Sequence, residues 1–373
     1  MTQLLIESVE TTIVDVPLLR PHRFATTTMH QQSFVIVRLN TRDGVRGIGE
    51  AVVAGGPWWG GETVEGIKVL IDDYLAPHLI DADASHVGEL TTRMDQLVAG
   101  NPAAKAGLEM ALWDAVGKWL GVPVYTLLGG LRRASLPVTW ALGAEPADVV
   151  IEEAQCKLAA GEHSSFKLKM GAGDPAADVR RVTTVAWALA PHASVRVDLN
   201  GAWDAVTATR WLPQLQDAGI DLVEQPVPRW DTAGMRQLAE RLTIPVMADE
   251  SLLTAHDALA LWRDKAADVF ALKTAKAGGL SPVLRIGAIA EAAGIPCYAG
   301  TTLESSLGTS ASLHAFGACP ARTIGSELFG PLLLADDLTE EPITYRDGHA
   351  HVPDGPGLGV TLDEKKLTKY RRT

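Results

Sequence analysis

Residues 164–170 read SSFKLKM, a short apolar run in which two lysines flank one leucine. Successive side chains on a strand point to opposite faces, so Lys167 and Lys169 share a face. Two ammonium groups side by side repel each other, and burial adds to the cost of their charge. A lysine at its ordinary pKa of about 10.4 is a poor base. The pair therefore reads as Lys169 tuned by Lys167 toward general acid/base work at neutral pH. Similar runs further along end in acids: VDLN carries Asp198 and Asn200, VEQP carries Glu224, and ADES carries Asp249 and Glu250. ALKTAK carries Lys273, and GSELFG carries Glu327. Three carboxylates converging on one point need a cation, and hard oxygen donors without His or Cys favour Mg²⁺, with Mn²⁺ as a substitute. The candidate ligands are Asp198, Glu224 and Asp249. Such a cation recruits a substrate carboxylate and stabilises an enediolate formed beside it. Lys273 then faces the opposite side of the substrate, and Asn200 is a candidate substrate contact.

Each of these residues also has a plainer role open to it. A single KxK is commonly a solvated strand face. An acid just after a strand is a natural helix N-cap, Asp249 in ADESLLT above all, and Glu327 could be a structural ion-pair partner. Capping does not explain the ordered series K-x-K, D-x-N, E-Q-P, D-E-S, K.

The elements that must position these groups are legible as a repeat. From about residue 135, strand-like runs (LPVTWALG, SFKLKMG, SVRVDLN, DLVEQP, IPVMADE, VFALKTA, IPCYAG, TIGSELFG) alternate with stretches of helical apolar spacing. One strand and one helix recur every ~25–30 residues, the size of a βα unit. Eight such strands predict a parallel sheet closed into a barrel, whose catalytic groups come from the C-terminal strand ends. An open doubly wound sheet would show a Gly-rich fingerprint after its first strand, and WALGAEPAD is not one. Residues 1–130 form a separate α+β module: antiparallel strands at TTIVDVPL and SFVIVRLNTRDGVRGIGEAV, then helices. The barrel spans 131–330, and residues 331–373 are expected to return and pack on the first module.

The net charge of −12 argues against a general nucleic-acid binder and obliges an anionic ligand to find a local positive site. Three scattered cysteines without a CxxC fit a reducing compartment. The first residues lack a signal-peptide pattern, and no run approaches ~18 uninterrupted apolar residues. These features predict a cytoplasmic protein with no membrane partner.

The residues resemble the enolase superfamily, and within it the muconate-lactonizing subgroup. The resemblance rests on AKAGLEMALWDAVGKWLGVPVYTLLGG (104–130), on VRVDLN through VEQP, on KLK with ADES and ALKTAK, and on GSELFGPLLL and PGLGVTLDE. It implies an α+β capping domain, completed by the C-terminal tail, over a TIM-like (β/α)7β barrel with one Mg²⁺ on Asp198, Glu224 and Asp249. It implies Lys169 as acid/base, Lys167 as its tuning partner, Lys273 opposite, and Glu327 at the last strand contacting substrate. The implied reaction is lactonization of cis,cis-muconate to muconolactone in aromatic catabolism, by homo-oligomers that are often octamers. Specificity is expected from cap loops near residues 20 and 50, where His22 and Arg23 could hold a distal carboxylate and Trp58 and Trp59 could wall off the site. Chloromuconate cycloisomerase and o-succinylbenzoate synthase share the same lysines. Dipeptide epimerases usually carry Asp-x-Asp where this chain has TIGSELF. A Schiff-base aldolase, with Lys169 or Lys273 as nucleophile, is a rival of another class.

Overall fold

The computed structural model describes residues 3–24 and 27–372. The chain opens with β1 (Ile6–Arg23), β2 (Thr28–Thr41) and β3 (Arg46–Val52), paired antiparallel in that order. The turn from β2 to β3 falls at TRDG, where Gly44 takes a φ of +79°, open to glycine without a side-chain clash. The helix Pro102–Leu120 lies against this sheet. It approaches so closely that a Cβ at Gly49 would stand 2.0 Å from the Gly107 carbonyl oxygen, which accounts for the glycines of RGIGEAV.

A short strand, β4 (Ser135–Pro137), precedes the barrel. The barrel strands are β5 (Trp140–Leu142), β6 (Ser165–Lys169), β7 (Ser194–Asp198), β8 (Val223–Glu224), β9 (Val246–Ala248), β10 (Val269–Leu272), β11 (Cys297–Ala299) and β12 (Thr323–Ser326). They run parallel in sequence order, and a bridge between Val138 and Ser326 joins the two ends of the sheet. Helices connect successive strands, so the element order is the alternation read from the sequence. Strand alternation puts Leu222 and Met247 two residues before Glu224 and Asp249. With Val269, Ala271 and Tyr298 they form a separate apolar cluster. Layers of this kind fill a barrel as a packed core rather than a pore.

Beyond residue 330 the chain serves both halves. Leu334 and Arg371 bridge to Leu18 and Val14 of β1. The hairpin β13 (Tyr345–Arg346) and β14 (His349–His351) pairs with β4 instead. Among the described residues no helix is long and apolar enough to cross a membrane. Cys156, Cys297 and Cys319 are free thiols.

The cap meets the barrel through Glu50, fully buried near the end of β3. Its carboxyl accepts from the Ser305 N–H at 3.1 Å and pairs with the Ser305 hydroxyl, at the start of the helix Ser306–Ala318. Burial, with the charges of Glu304 and Asp337, pushes the Glu50 pKa up to about 8 against the pull of Ser305. Folded Glu50 therefore keeps a proton that the unfolded chain gives up near its ordinary value of 4.5. Its contribution to stability is complete below that value and is lost as pH rises through the folded pKa. Glu50→Gln keeps the shape and the neutrality. Thermal unfolding from about pH 5 to about pH 9 should show the wild type falling progressively below the variant. Parallel curves would contradict this assignment.

Candidate active site

The C-terminal strand ends deliver the charged groups to one mouth of the barrel. Lys169 is the cross-strand partner of Asp198, and Asp198 of Glu224. Asp249, Lys273 and Glu327 each follow the last residue of β9, β10 and β12. All are buried. Lys169 Nζ lies 2.5 Å from Asp198 Oδ2, and Lys167 Nζ lies 3.2 Å from the same oxygen. Lys167 also pairs with Glu224 at 2.8 Å and Glu327 at 2.5 Å. Asp249 takes Lys273 on Oδ2 at 2.5 Å and Lys276 on Oδ1 at 2.6 Å.

Lys167 stands beside Lys169, both on Asp198 Oδ2, and is also bound to Glu224 and Glu327. Burial favours its neutral form, but Glu224, Glu327 and Asp198 outweigh that and raise its pKa well above the ordinary lysine value. Its charge goes to three acids rather than to Lys169. Asp249 is likewise no helix cap: Thr254 caps the following helix through a reciprocal bond pair with Asp257. Gln225, next to Glu224, accepts the Asp249 N–H at 3.0 Å and so fixes that carboxylate's backbone.

The acids outweigh the lysines. Burial, then the Asp198 charge, raises Glu224 well above the carboxylate range. Burial with Asp249 and Asp198 pushes Glu250 up to about 7. Glu250 Oε2 and Glu327 Oε1 are buried without a hydrogen-bond partner. If all are ionised, Asp198, Glu224, Asp249, Glu250 and Glu327 exceed Lys167, Lys169, Lys273 and Lys276 by one negative charge. Among the described residues no three His, Cys, Asp or Glu form a ready-made metal cluster. The donor chemistry nevertheless fits a hard divalent cation, which turns the one-charge deficit into a one-charge excess suited to an anionic substrate.

Above these groups lies a cavity of about 30 Å³, room for a water or two. His22, Trp58, Trp59, Asn200, Lys167, Lys169, Lys273 and Glu327 all line it. Arg23 does not: it is exposed, because adjacent strand residues face opposite ways and His22 takes the inward position. Burial and the charges of Arg20, Lys169 and Lys167 hold the His22 pKa well below its ordinary value, so the ring is neutral. Asn200, at a φ of +46°, accepts from Lys169 on Oδ1 at 3.2 Å and donates from Nδ2 to Glu250 at 3.0 Å. Trp59 donates to Glu250 at 3.0 Å, and its ring lies 4.6 Å from Lys273 Nζ. Lys169 Nζ lies over the face of the Phe24 ring, 5.0 Å from its centre.

Sequence reasoning missed Lys276, Phe24, Phe329 and the wall formed by Thr301, Thr302 and Leu303. Only Lys276 left a signal, its spacing from Lys273 in KTAK.

A model of the mandelate racemase / muconate lactonizing enzyme N-terminal domain matches residues 8–129, and one described as enolase C-terminal domain-like matches 149–366. The chain belongs to the enolase superfamily. Within that superfamily it is 49% identical over 372 residues to muconate cycloisomerase 1 of Rhodococcus opacus, covering 100% of both chains. It is 45% identical over 367 residues to a chloromuconate cycloisomerase of Cupriavidus necator, covering 98% of this chain and 99% of that one. The crystal structure of muconate lactonizing enzyme from Pseudomonas fluorescens, complexed with muconolactone, superposes with a TM-score of 0.97 at 48% identity, covering 100% of both chains.

Removing Lys167 tests the charge balance of this superfamily site. Lys167→Met strips Glu224 and Glu327 of their shared cation. In metal-free buffer, urea unfolding at neutral pH should show a loss of ~3–5 kcal/mol, the cost of breaking a buried pair. Excess divalent cation should restore part of it. A loss below ~1 kcal/mol would mean that the acids are already neutral.

Proposed function

We propose that the chain is a cycloisomerase, an isomerase that closes cis,cis-muconate to muconolactone with a divalent cation, Mg²⁺, held by Asp198, Glu224 and Asp249. The observation that carries this reading is the placement of Lys169 and Lys273 around one cavity, each ion-paired to a carboxylate at the barrel mouth. When bound, the cation supplies electrostatic stabilisation to the substrate carboxylate that takes on enolate character.

The chain's own residues do the rest. The distal carboxylate oxygen adds to the double bond, and the electron pair moves toward the near carboxylate. Lys169 delivers its proton to the carbon next to the near carboxylate, so the dianion becomes a lactone monoanion, and Lys169 regains that proton from solvent before the next turnover. Asn200 and Asp198 hold the Lys169 ammonium from the side away from Phe24. Lys273 stands at Trp59 and adds positive charge on its own side of the cavity. Neutral His22 offers a hydrogen bond to the distal carboxylate without a second buried cation. Phe24, Trp58 and Phe329 keep the cavity dry.

The loss of muconate's diene absorbance tests this directly. Purified protein with Mg²⁺ should consume it, EDTA should stop it, and Lys169→Ala should slow it by roughly 10²–10⁴-fold, the usual range for a general acid. Faster turnover of 2-chloromuconate than of muconate would move the substrate to the chlorinated analogue. No turnover of either by metal-loaded protein would overturn the reading.

A further inference from the structure

Gln32, on β2, is wholly buried and does not line the catalytic cavity. Its amide nitrogen donates to the Thr302 carbonyl at 3.0 Å and to the Val53 carbonyl at 3.3 Å, and its amide oxygen accepts from the Gly55 N–H at 3.4 Å. Thr302 belongs to the barrel wall after β11. Val53 and Gly55 flank Ala54, in the cap segment that leads to Trp58 and Trp59. Ala54 and both tryptophans form one side of the cavity, and Thr301, Thr302 and Leu303 form another. One buried amide therefore spans both walls.

The barrel wall is locked internally. Leu303 sits at a φ of +64°, a left-handed conformation that costs a leucine energy and persists only where the surroundings hold it. Its N–H donates to Thr301 Oγ1 at 2.9 Å, while Glu304 accepts the Thr302 N–H at 3.0 Å and the Thr302 hydroxyl at 2.6 Å. None of these bonds ties the wall to the cap segment. On the cap side, Gly55 and Gly56 turn at φ values of +67° and +118°, so the path toward Trp58 and Trp59 is set where Gln32 holds the chain.

We propose that Gln32 is a positioning residue that couples the two walls, so that the cap segment and the barrel wall close on substrate as one unit. Its effect on turnover rests on the cycloisomerase reading; the coupling does not. Gln32→Met keeps the length and leaves the Thr302 carbonyl and the Gly55 N–H without partners. Hydrogen exchange followed by mass spectrometry, on peptides covering 53–62 and 301–305, should rise in both segments together by roughly tenfold or more, with the remaining barrel peptides unchanged. KM for muconate should rise roughly tenfold, with kcat within about twofold and divalent affinity unchanged. If Gln32→Met does not fold, Gln32→Asn, too short to reach both walls, carries the same test. A rise in one segment alone, in neither, or uniformly across the chain overturns the coupling. If the wild type fails to turn over muconate, the exchange measurement still decides it. If the wild type turns over and the exchange is uncoupled, only this proposal falls.

Discussion

The structure depends on a charge problem at the barrel mouth. Parallel strands bring Asp198 and Glu224, cross-strand partners, and Asp249, just past the end of β9, into one buried barrel mouth, where none of them is solvated. An unpaired buried carboxylate costs several kcal/mol, so each must meet a cation. Lys167, Lys169, Lys273 and Lys276 are those cations here, and with all five acids ionised they would leave one negative charge in excess. The raised Glu224 and Glu250 and the partnerless oxygens of Glu250 and Glu327 are consequences of that imbalance. A site with this excess of acids is suited to a cation and, through it, to an anion.

The remaining architecture serves to hold this arrangement. The apolar layer around Met247 and Tyr298 lies one strand alternation below the acids. The cap closes the other end with Phe24, Trp58 and Trp59, set against the lysines. The joints between cap and barrel are polar: Glu50 on Ser305, Gln32 on Thr302, Trp59 on Glu250. Directional bonds fix the distance between the halves where apolar contact alone would let them slide.

Much of this was legible. Strand period and unit spacing gave the barrel, and the ordered strand-end residues gave the charged layer, because both follow from local chain geometry. What strand ends do not reveal is which partner a charge chooses. Lys167 was read against its nearest like charge in sequence, whereas Glu327, some 160 residues away, lies 2.5 Å from it. Arg23 could have been set aside from the sequence, since alternation lets only one of His22 and Arg23 face inward. The Thr254–Asp257 capping pair was also visible, and it frees Asp249 from a capping role. The Thr301–Leu303 wall left no signal, because its tie to Gln32 comes from a residue 270 positions away.

The central proposal is that Asp198, Glu224 and Asp249 form a divalent-cation site. A titration of metal-free protein with Mn²⁺, following the free ion by electron paramagnetic resonance, tests it most directly. The account predicts one ion bound per chain, with the site lost in Glu224→Gln and kept in Lys273→Met. Absence of saturable binding, or binding indifferent to Glu224→Gln, would contradict it.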